Sequence, residues 1–195
     1  IGLGMIGASL ALASKSKGIK VFGYDSNDST VELAKKENFV DESFNSLEEI
    51  NNKNISDNID LVIVCVPPRQ TQEIFNNIHE LWNTSLTITD TSSVKNHLKI
   101  NNVDNIILSH PIAGSDRSGL SAADGELYID KKNVICDPFN AKSSHLNRLV
   151  DFWESAMQMR TSVMTVKDHD LIFAMTSHLP HLVSYALIDS IRLSS

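Results

Sequence analysis

The sequence has few cysteines, few basic residues and no long apolar segment. Its 195 residues include 2 cysteines, and 17 lysines and arginines stand against 24 aspartates and glutamates, a net charge of −7. No block of lysine or arginine occurs, so neither nucleic acid nor an anionic membrane is expected as a partner. The longest unbroken apolar run, Leu61 to Val66, is far too short to cross a bilayer.

The two cysteines, Cys65 and Cys136, both lie in apolar, strand-like runs. Buried thiols in a reducing compartment explain this placement better than a disulfide does, so the sequence predicts a cytoplasmic protein. No signal-peptide pattern opens the chain. The chain begins without a methionine and ends at Ser195 in a helical pattern that has no stop signal, so we expect a fragment of a longer protein.

A glycine-rich motif opens the chain. Residues 2–7 read Gly-Leu-Gly-Met-Ile-Gly, which matches G-x-G-x-x-G. In a dinucleotide-binding turn, the first glycine permits the turn, the second lets the backbone approach a pyrophosphate, and the third lets helix and strand pack closely. Amides at the start of the helix then bind the anion. Glycine-rich turns also occur for packing alone, so the motif needs support from its context.

Asp25 supplies that context. It follows the strand predicted at 20–24, roughly twenty residues past the glycines, the spacing expected for a carboxylate that binds a ribose 2′-hydroxyl. A carboxylate repels a 2′-phosphate, and the next two residues offer no arginine to neutralise one, so NAD is predicted over NADP. The alternative is that Asp25 caps the helix predicted at 29–36. Ser26 or Asp28 could cap that helix instead.

The following elements predict an α/β fold. The apolar run at 61–66 is typical of a parallel strand that is covered on both faces. Strands and helices alternate, which favours a doubly wound, mostly parallel sheet of the Rossmann type. Further strands are predicted at 86–89, 106–108, 133–138 and 159–164, and helices at 8–14, 29–36, 47–50, 71–82 and 141–153, with another that begins near Val94.

The pattern changes at Asp168, where a helix with acidic residues in its first turn begins and runs to Ile191. Apolar side chains at spacings of three and four predict a wide buried face. They are Leu171, Met175, Leu179, Leu182 and Ala186. Pro180 removes one backbone hydrogen bond and should bend the helix. We expect residues 1–164 to form a dinucleotide-binding domain and residues 165–195 to be the first helix of a truncated helical domain.

His178 and His181 lie on one side of this helix, at positions i and i+3. A bend beside them exposes a backbone carbonyl, which suits the wall of a substrate pocket. Core histidines with satisfied hydrogen bonds are one alternative, and a metal site is another. No third ligand stands at helical spacing and no H-E-x-x-H occurs, so no metal is predicted.

His110 follows the short strand predicted at 106–108 and precedes Pro111. Ligands of open α/β sheets lie outside the carboxyl ends of the strands, so a histidine there is placed for proton transfer near neutral pH. The alternative is a structural histidine that donates to a nearby carbonyl. Four polar residues, 90–93, end the preceding strand. One could cap the helix predicted near Val94, but four exceed what one cap needs.

Four stretches together resemble the prephenate/arogenate dehydrogenase family of tyrosine biosynthesis. They are residues 2–10, 90–95, 110–114 and 176–181. The glycine motif is shared with many dehydrogenases, whereas the His-Pro-Ile-Ala-Gly and Ser-His-Leu-Pro-His runs are far more specific. The resemblance covers essentially the whole chain, as a nucleotide domain and the first helix of a dimerisation domain.

Enzymes of this family oxidise the C4 hydroxyl of prephenate or arogenate, pass hydride to a nicotinamide and release carbon dioxide. The resemblance implies that His110 is the general base and that Ser93 hydrogen-bonds near it and near the substrate hydroxyl. It also implies that His178 and His181 line the substrate pocket. The implied cofactor contacts are Gly2, Gly4, Met5, Ile6, Gly7, Asp25, Val66, Pro67, Thr91 and Ser92.

The resemblance thus predicts an NAD-dependent prephenate dehydrogenase that makes 4-hydroxyphenylpyruvate and forms a homodimer through its helical domain. Alternatives are an arogenate dehydrogenase that gives tyrosine, a β-hydroxyacid dehydrogenase, and a non-catalytic NAD-binding module. β-Hydroxyacid dehydrogenases use a catalytic lysine in the helix after the nucleotide domain, whereas Lys167 precedes that helix. The family's arginine for the ring carboxylate lies beyond residue 195. Asp116 and Arg117 stand where many relatives carry Glu-Lys.

Overall fold

The computed structural model of the protein describes residues 1–81, 84–100 and 103–193. Its strands are β1 (Phe22–Gly23), β2 (Glu42–Ser43), β3 (Leu61–Val64), β4 (Thr87–Asp90), β5 (Leu108–Ile112), β6 (Lys132–Cys136) and β7 (Arg160–Val163). Its α-helices are α1 (Met5–Ser16), α2 (Asp28–Lys36), α3 (Leu47–Ile50), α4 (Lys53–Ser56), α5 (Pro68–Asn77), α6 (Ser143–Asp151), α7 (Val166–Phe173) and α8 (Leu179–Leu193). Single 3₁₀ turns occupy His79–Leu81 and Leu120–Ala122, and π-helical turns occupy Phe152–Ala156 and Ala174–His178. The predicted helix end at Trp82 and residues 194–195 of the predicted second domain lie outside the described residues.

Backbone hydrogen bonds arrange the first strands as a parallel sheet. β1 pairs with β2, and β3 pairs with β4, both in parallel. Residues 1–3 lie between these pairs, because the Gly2 amide donates to the Tyr24 carbonyl and the Ile1 carbonyl accepts from the Cys65 amide, each at 2.7 Å. A parallel bridge then joins β4 to the chain just before β5. The resulting spatial order is β2, β1, residues 1–3, β3, β4 and β5, which confirms the doubly wound, Rossmann-type prediction.

The last two strands run in the opposite direction. β5 pairs with β6 in an antiparallel ladder, and β6 pairs with β7 in parallel. The sheet is therefore mostly parallel, with a reversed pair of strands at one edge. The predicted boundary after residue 164 falls in the short connection between β7 and α7.

The strand that carries His110 is longer than predicted. The sequence places the end of this strand at Leu108, but β5 continues through His110 and Pro111 to Ile112. A proline is tolerated because this part of β5 has a strand, β6, on one side only. Since Ile106 is level with Ile88, Leu108 is level with the last residue of β4. His110 thus lies beyond the end of β4, although it is not at the end of its own strand.

The helix predicted near Val94 is absent from the structure. Residues 91–100 form an irregular loop, so none of the hydroxyl residues at 91–93 is a helix cap there. The loop takes this course because the Asp90 and Lys95 side chains turn inwards and pair with each other. β2 and α4 were not predicted, since β2 has no apolar residue and α4 has only one, so neither shows a hydrophobic period.

Strand β3 is covered on both faces, as its continuous apolar sequence predicts. Val62 and Val64 belong to a buried cluster that includes Phe75 of α5. Leu61 and Ile63 pack against a second cluster, which α1 and α6 supply from the other face. Both cysteines are free thiols, with Cys136 buried and Cys65 half-buried.

The prediction that one face of the C-terminal helix is buried is wrong for the residues that the structure describes. α8 has no buried residue, and Leu171, Met175, Leu179 and Leu182 are between 52% and 66% exposed. No element of residues 1–81, 84–100 and 103–193 covers this face. By length and composition alone, Val166–Leu193 could cross a membrane. Helices that are buried in protein interfaces pass the same test.

A π-helical turn separates α7 from α8. It spans Ala174–His178 and ends two residues before Pro180. The proline has no amide hydrogen and its ring displaces the carbonyl four residues earlier, which disrupts the regular α-helical ladder at that point. The helix therefore adapts through a π-turn at the position where the sequence predicts a bend.

Candidate active site

The glycine turn brings backbone atoms to the start of α1. Gly2 has a φ of +87°, and a Cβ there would lie 2.6 Å from the carbonyl oxygen of Cys65. A Cβ on Gly7 would lie only 1.9 Å from the carbonyl oxygen of Gly2. Gly4 instead faces open space, and no side chain among the described residues caps the helix that follows. The first amides of α1, those of Met5 and Ile6 included, are therefore placed to bind an anion.

Asp25 lies beside this turn, just after β1. One carboxylate oxygen accepts from the Leu3 amide at 2.7 Å, and the other accepts from the Asn27 amide at 3.0 Å. Asp25 does not cap α2, because Asn27 is the cap and its side chain accepts from the Thr30 amide. The other two candidate caps are wrong for the same reason. Since a carboxylate oxygen has two lone pairs, Asp25 can still accept from a ribose hydroxyl.

The loops after β3 and β4 reach the same edge of the sheet. Val66 lies next to the glycine turn, because a Cβ on Gly2 would be 3.1 Å from its Cγ1 atom. The Thr91 amide donates to the Val64 carbonyl at 3.0 Å, which holds the two loops side by side. Pro67 directly precedes α5. The structure thus places Val66 beside the glycine turn, with Thr91 hydrogen-bonded to the end of β3.

A buried ion pair holds the end of β4. Lys95 is 1% exposed, and its Nζ atom lies 2.7 and 2.6 Å from the two carboxylate oxygens of Asp90. Lys95 also donates to the Ser109 carbonyl, and Asp90 accepts from the amide and the hydroxyl of Ser92. Burial lowers the pKa of Lys95, while the Asp90 carboxylate opposes that shift. The pair joins β4, the loop after it and β5 next to His110.

Two side chains of α7 contact the His110 ring. Its Nδ1 atom lies 2.9 Å from Nε2 of His169, and its ring packs edge-on against Phe173 with centroids 4.7 Å apart. Burial lowers the pKa of His110 to about 3, with further lowering from Lys95, His169 and His178. The imidazole is therefore neutral near pH 7, and one of its ring nitrogens carries a lone pair.

His169 and Asp170 extend this contact into a chain of hydrogen bonds. His169 is fully buried, and its Nδ1 atom lies 2.7 Å from a carboxylate oxygen of Asp170. Asp170 also accepts from the backbone amides of Lys95 at 2.9 Å and Asn96 at 2.8 Å. Burial acts to raise the pKa of Asp170, but these amides and the His169 ring outweigh it and lower the pKa. The start of α7 is thereby tied to the loop after β4.

The other predicted substrate residues are less closely connected. His178 is half-buried and lies close enough to lower the pKa of His110, whereas His181 is exposed. Ser93 is half-buried, and no hydrogen bond joins it to His110 within the described part of the chain. That part also contains no group of three or more His, Cys, Asp or Glu side chains that could hold a metal ion.

Sequence reasoning assigned no role to Lys95, His169 or Asp170. For the last two a signal was present, because a histidine flanked by aspartates at 168–170 is typical of a ring oriented by a carboxylate. The partner of His169 was out of reach, since His110 lies 59 residues away in the chain. Lys95 gave no signal, because lysines are seldom fully buried.

The fold and this site define a dinucleotide-binding protein of the Rossmann class with a neutral histidine at the binding edge. Residues 9–160 match the family model described as prephenate dehydrogenase, nucleotide-binding domain. Residues 165–195 match the model described as prephenate dehydrogenase, dimerization domain. The chain belongs to the prephenate dehydrogenase family.

Similar proteins agree with this assignment. The chain is 32% identical to a cyclohexadienyl dehydrogenase of Zymomonas mobilis, an alignment that covers 96% of this chain and 64% of that protein. It is 27% identical to a prephenate dehydrogenase of Lactococcus lactis, over 96% of this chain and 52% of the relative. The chain thus spans about half to two thirds of the length of these relatives.

Solved structures share the fold. The prephenate dehydrogenase of Aquifex aeolicus in complex with hydroxyphenyl propionate and NAD⁺ has a TM-score of 0.88 and 28% identity, over 100% of this chain and 68% of that one. A Synechocystis arogenate dehydrogenase has a TM-score of 0.81 and 26% identity, over 97% of this chain and 66% of that one.

Proposed function

We propose that this chain is part of an NAD-dependent prephenate dehydrogenase, which oxidises and decarboxylates prephenate to 4-hydroxyphenylpyruvate. The observation that carries the proposal is the placement of His110. Its neutral imidazole is held by His169 at the edge of the sheet where the glycine turn lies. Three strand spacings, about 14 Å, separate residues 1–3 from β5. This separation leaves room for the nicotinamide end of a dinucleotide and one six-membered substrate ring.

The residues at the glycine turn fit NAD. Gly4 leaves open space where a backbone must approach a pyrophosphate, and the first amides of α1 have no side-chain cap among the described residues. The Asp25 carboxylate suits a ribose diol and repels a 2′-phosphate. The full proposed cofactor set is Gly2, Gly4, Met5, Ile6, Gly7, Asp25, Val66, Pro67, Thr91 and Ser92. The Aquifex relative was solved with NAD⁺, which supports the same cofactor here.

The proposed chemistry needs a proton acceptor, a hydride acceptor and a held substrate. NAD, when bound, accepts the hydride from C4. His110 accepts the proton of the C4 hydroxyl, and a well-placed general base contributes about two to four powers of ten in rate. Ser93 hydrogen-bonds near that hydroxyl, while His178 and His181 line the pocket. The ketone is conjugated to the carbon that bears the carboxylate, so carbon dioxide leaves and the ring becomes aromatic.

The exposed apolar face of α8 supports a homodimer. Leu179, Leu182 and Leu193 share one side of the helix, because they are three and eleven residues apart, and they are 52%, 66% and 89% exposed. This arrangement favours burial against another protein surface. Residues 165–195 match a dimerization-domain model, so the proposal assigns residues 1–164 to the nucleotide domain and the remainder to the first helix of the dimer domain. The free cysteines suit a cytoplasmic enzyme.

The test is an assay of NADH formation by the full-length enzyme with prephenate and, separately, with arogenate. We expect NAD reduction with prephenate, and 4-hydroxyphenylpyruvate as the product. Reduction with arogenate alone would replace the substrate in the proposal, and the likeness to the Synechocystis arogenate dehydrogenase makes this the second candidate. NAD binding without turnover of either compound would contradict both and leave a binding module.

A further inference from the structure

The hydrogen bonds that end at His110 fix which of its nitrogens carries a proton. An ionised carboxylate accepts hydrogen bonds and cannot donate them. The pKa of Asp170 is lowered, so Asp170 is ionised near neutral pH. The Nδ1 atom of His169 lies 2.7 Å from its carboxylate and must therefore carry the hydrogen of that bond.

The same reasoning passes from His169 to His110. Burial lowers the pKa of His169, although Asp170 opposes that shift. In a neutral imidazole with hydrogen on Nδ1, the Nε2 atom is an acceptor. This atom lies 2.9 Å from Nδ1 of His110, so Nδ1 of His110 must be the donor. The lone pair of His110 is then on Nε2, which no hydrogen bond from the described residues occupies.

The geometry around Asp170 makes this chain stiff. Both carboxylate oxygens accept backbone amides from the loop after β4, one from Lys95 and one from Asn96. His169 is fully buried, and Phe173 packs against both imidazole rings with centroid distances of 4.7 Å. Neither ring can rotate without breaking a hydrogen bond or this packing. A histidine that only filled space in the core would not require such a carboxylate anchor.

We propose that His169 and Asp170 are positioning residues that hold His110 as its Nδ1–H tautomer, so that the Nε2 lone pair is available to the substrate hydroxyl. The catalytic consequence rests on the proposed function, in which His110 is the base. The tautomer itself does not, because it follows from the hydrogen bonds alone. The two parts can therefore be tested separately.

The tautomer is tested by two-bond ¹⁵N–¹H correlation spectra of the ¹⁵N-labelled chain. The His110 signals are assigned by their loss in His110→Asn. We expect a pyrrole-like Nδ1 and a pyridine-like Nε2 for His110 near neutral pH, and both tautomers once His169→Leu removes the acceptor. His169→Gln, whose amide oxygen can accept in place of Nε2, should restore the preference. His145→Leu is the matched control, because His145 is a buried histidine bonded to Thr87 at the other end of β4.

Asp170→Leu gives a second measurement, because it removes every acceptor that Asp170 offers to His169. Asp170→Asn is the conservative variant, since an amide oxygen in the place of Oδ1 keeps the bonds to His169 and to the Lys95 amide, and its NH₂ group opposes only the Asn96 amide. We expect a mixture of the two His110 tautomers in Asp170→Leu. We expect the single wild-type tautomer in Asp170→Asn and in Asp168→Asn, which alters a neighbouring exposed carboxylate. A wild-type His110 with hydrogen on Nε2, or an unchanged tautomer in folded Asp170→Leu, would overturn the proposal.

Kinetics of the full-length enzyme test the consequence. His169→Leu should lower kcat by about ten- to a hundredfold, a part of what a positioned base supplies, with little change in the KM for prephenate. His169→Gln should recover most of the loss, and His145→Leu should match the wild type. A wild-type enzyme without prephenate activity would defeat the proposed function but leave the spectra to decide the tautomer. An active enzyme whose kcat is unaffected by His169→Leu would defeat the positioning role.

Discussion

The glycine turn and the His110 cluster lie at one edge of the same sheet but are built in different ways. The turn is made within residues 2–7, and its shape depends on the absence of side chains at Gly2 and Gly7. The His110 cluster is made by side chains from β4, β5 and α7, with hydrogen bonds across 59 and 75 residues of chain. The turn is thus formed by contiguous residues, although Gly2 also packs against Cys65, whereas the contacts that join the three elements of the cluster require the tertiary structure.

The two regions should therefore respond differently to amino-acid substitutions. A local turn is disturbed by changes in its own few residues. The cluster can be disturbed from three separate elements, and it contains buried charges whose partners cannot be lost without cost. Substitutions in the two regions should therefore separate cofactor binding from turnover and from stability.

The largest expected effect is that of His110→Asn on turnover. Loss of the base should lower kcat with prephenate by about two to four powers of ten, while NAD affinity is retained because the glycine turn is untouched. Initial rates of the full-length enzyme and calorimetric titration of NAD measure the two quantities, with His145→Asn as the control. Unchanged turnover would remove His110 from the mechanism, and a loss of NAD affinity would show that the two regions are coupled.

The buried ion pair should dominate the stability of the cluster. Lys95→Met leaves the Asp90 carboxylate buried and unpaired, so the free energy of unfolding should fall by about 3–5 kcal/mol. Urea unfolding measures this loss. Lys142→Met is the matched control, because its pair with Asp104 is largely exposed and such pairs contribute about 0–1 kcal/mol. Equal effects of the two substitutions would contradict the importance of burial at Lys95.

Two alanine substitutions distinguish shape from ligand contact in the glycine turn. Gly7→Ala places a methyl group against the Gly2 carbonyl oxygen and should destabilise the fold by about 1–3 kcal/mol. Gly4→Ala meets open space, so the unfolding free energy should change by less than about 0.5 kcal/mol. It should nevertheless weaken NAD binding, because the methyl group projects where the pyrophosphate must approach. A Gly4→Ala variant with normal NAD affinity would place the cofactor elsewhere.

The smallest expected effect is on the pH dependence of stability. The pKa of His110 is about 3 in the folded state and about 6.5 in the unfolded state. Between these two pH values the folded state binds fewer protons than the unfolded state. The stabilisation that the neutral His110 ring contributes is therefore complete above about pH 6.5 and is lost as the pH falls towards about 3. Lys95, His169, His178 and Asp170 are the charged or titratable groups that act on this ring.

Comparison of the wild type with His110→Asn isolates that contribution. Between about pH 7 and about pH 5, the free energy of unfolding of the wild type should fall by about 1–2 kcal/mol more than that of the variant. Chemical denaturation at each pH measures the difference. Parallel pH dependences would mean that His110 titrates normally in the folded protein.

Sequence patterns predicted the parts of the molecule whose structure is determined by residues close together in the chain. The glycine turn, the strand at 61–66 and Asp25 each follow from a short run of residue types, and the turn and the strand appear in the structure as expected. The prediction of a helix near Val94 was wrong. The hydroxyl residues before it resemble a helix cap, but Ser92 donates to the Asp90 carboxylate instead.

The remaining features depend on contacts that a linear pattern does not contain. His169 gains its role from a strand 59 residues away, and the burial of Lys95 requires β4 and β5 to be adjacent. The apolar period of α8 was recognised, but whether it is buried depends on protein surface outside residues 1–81, 84–100 and 103–193. Periodicity predicts that a face is apolar, and only the assembled structure shows what covers it.

The hydrogen bonds of His169 and Asp170 in α7 cross the boundary between the two family models. His110 belongs to the segment matched at residues 9–160, while the two residues that orient it belong to the segment matched from residue 165. A nucleotide-binding domain produced without α7 would keep its glycine turn, but the His110 ring would lose the hydrogen bond that orients it. The boundary between the two family models therefore separates His110 from the His169 and Asp170 side chains that hold it.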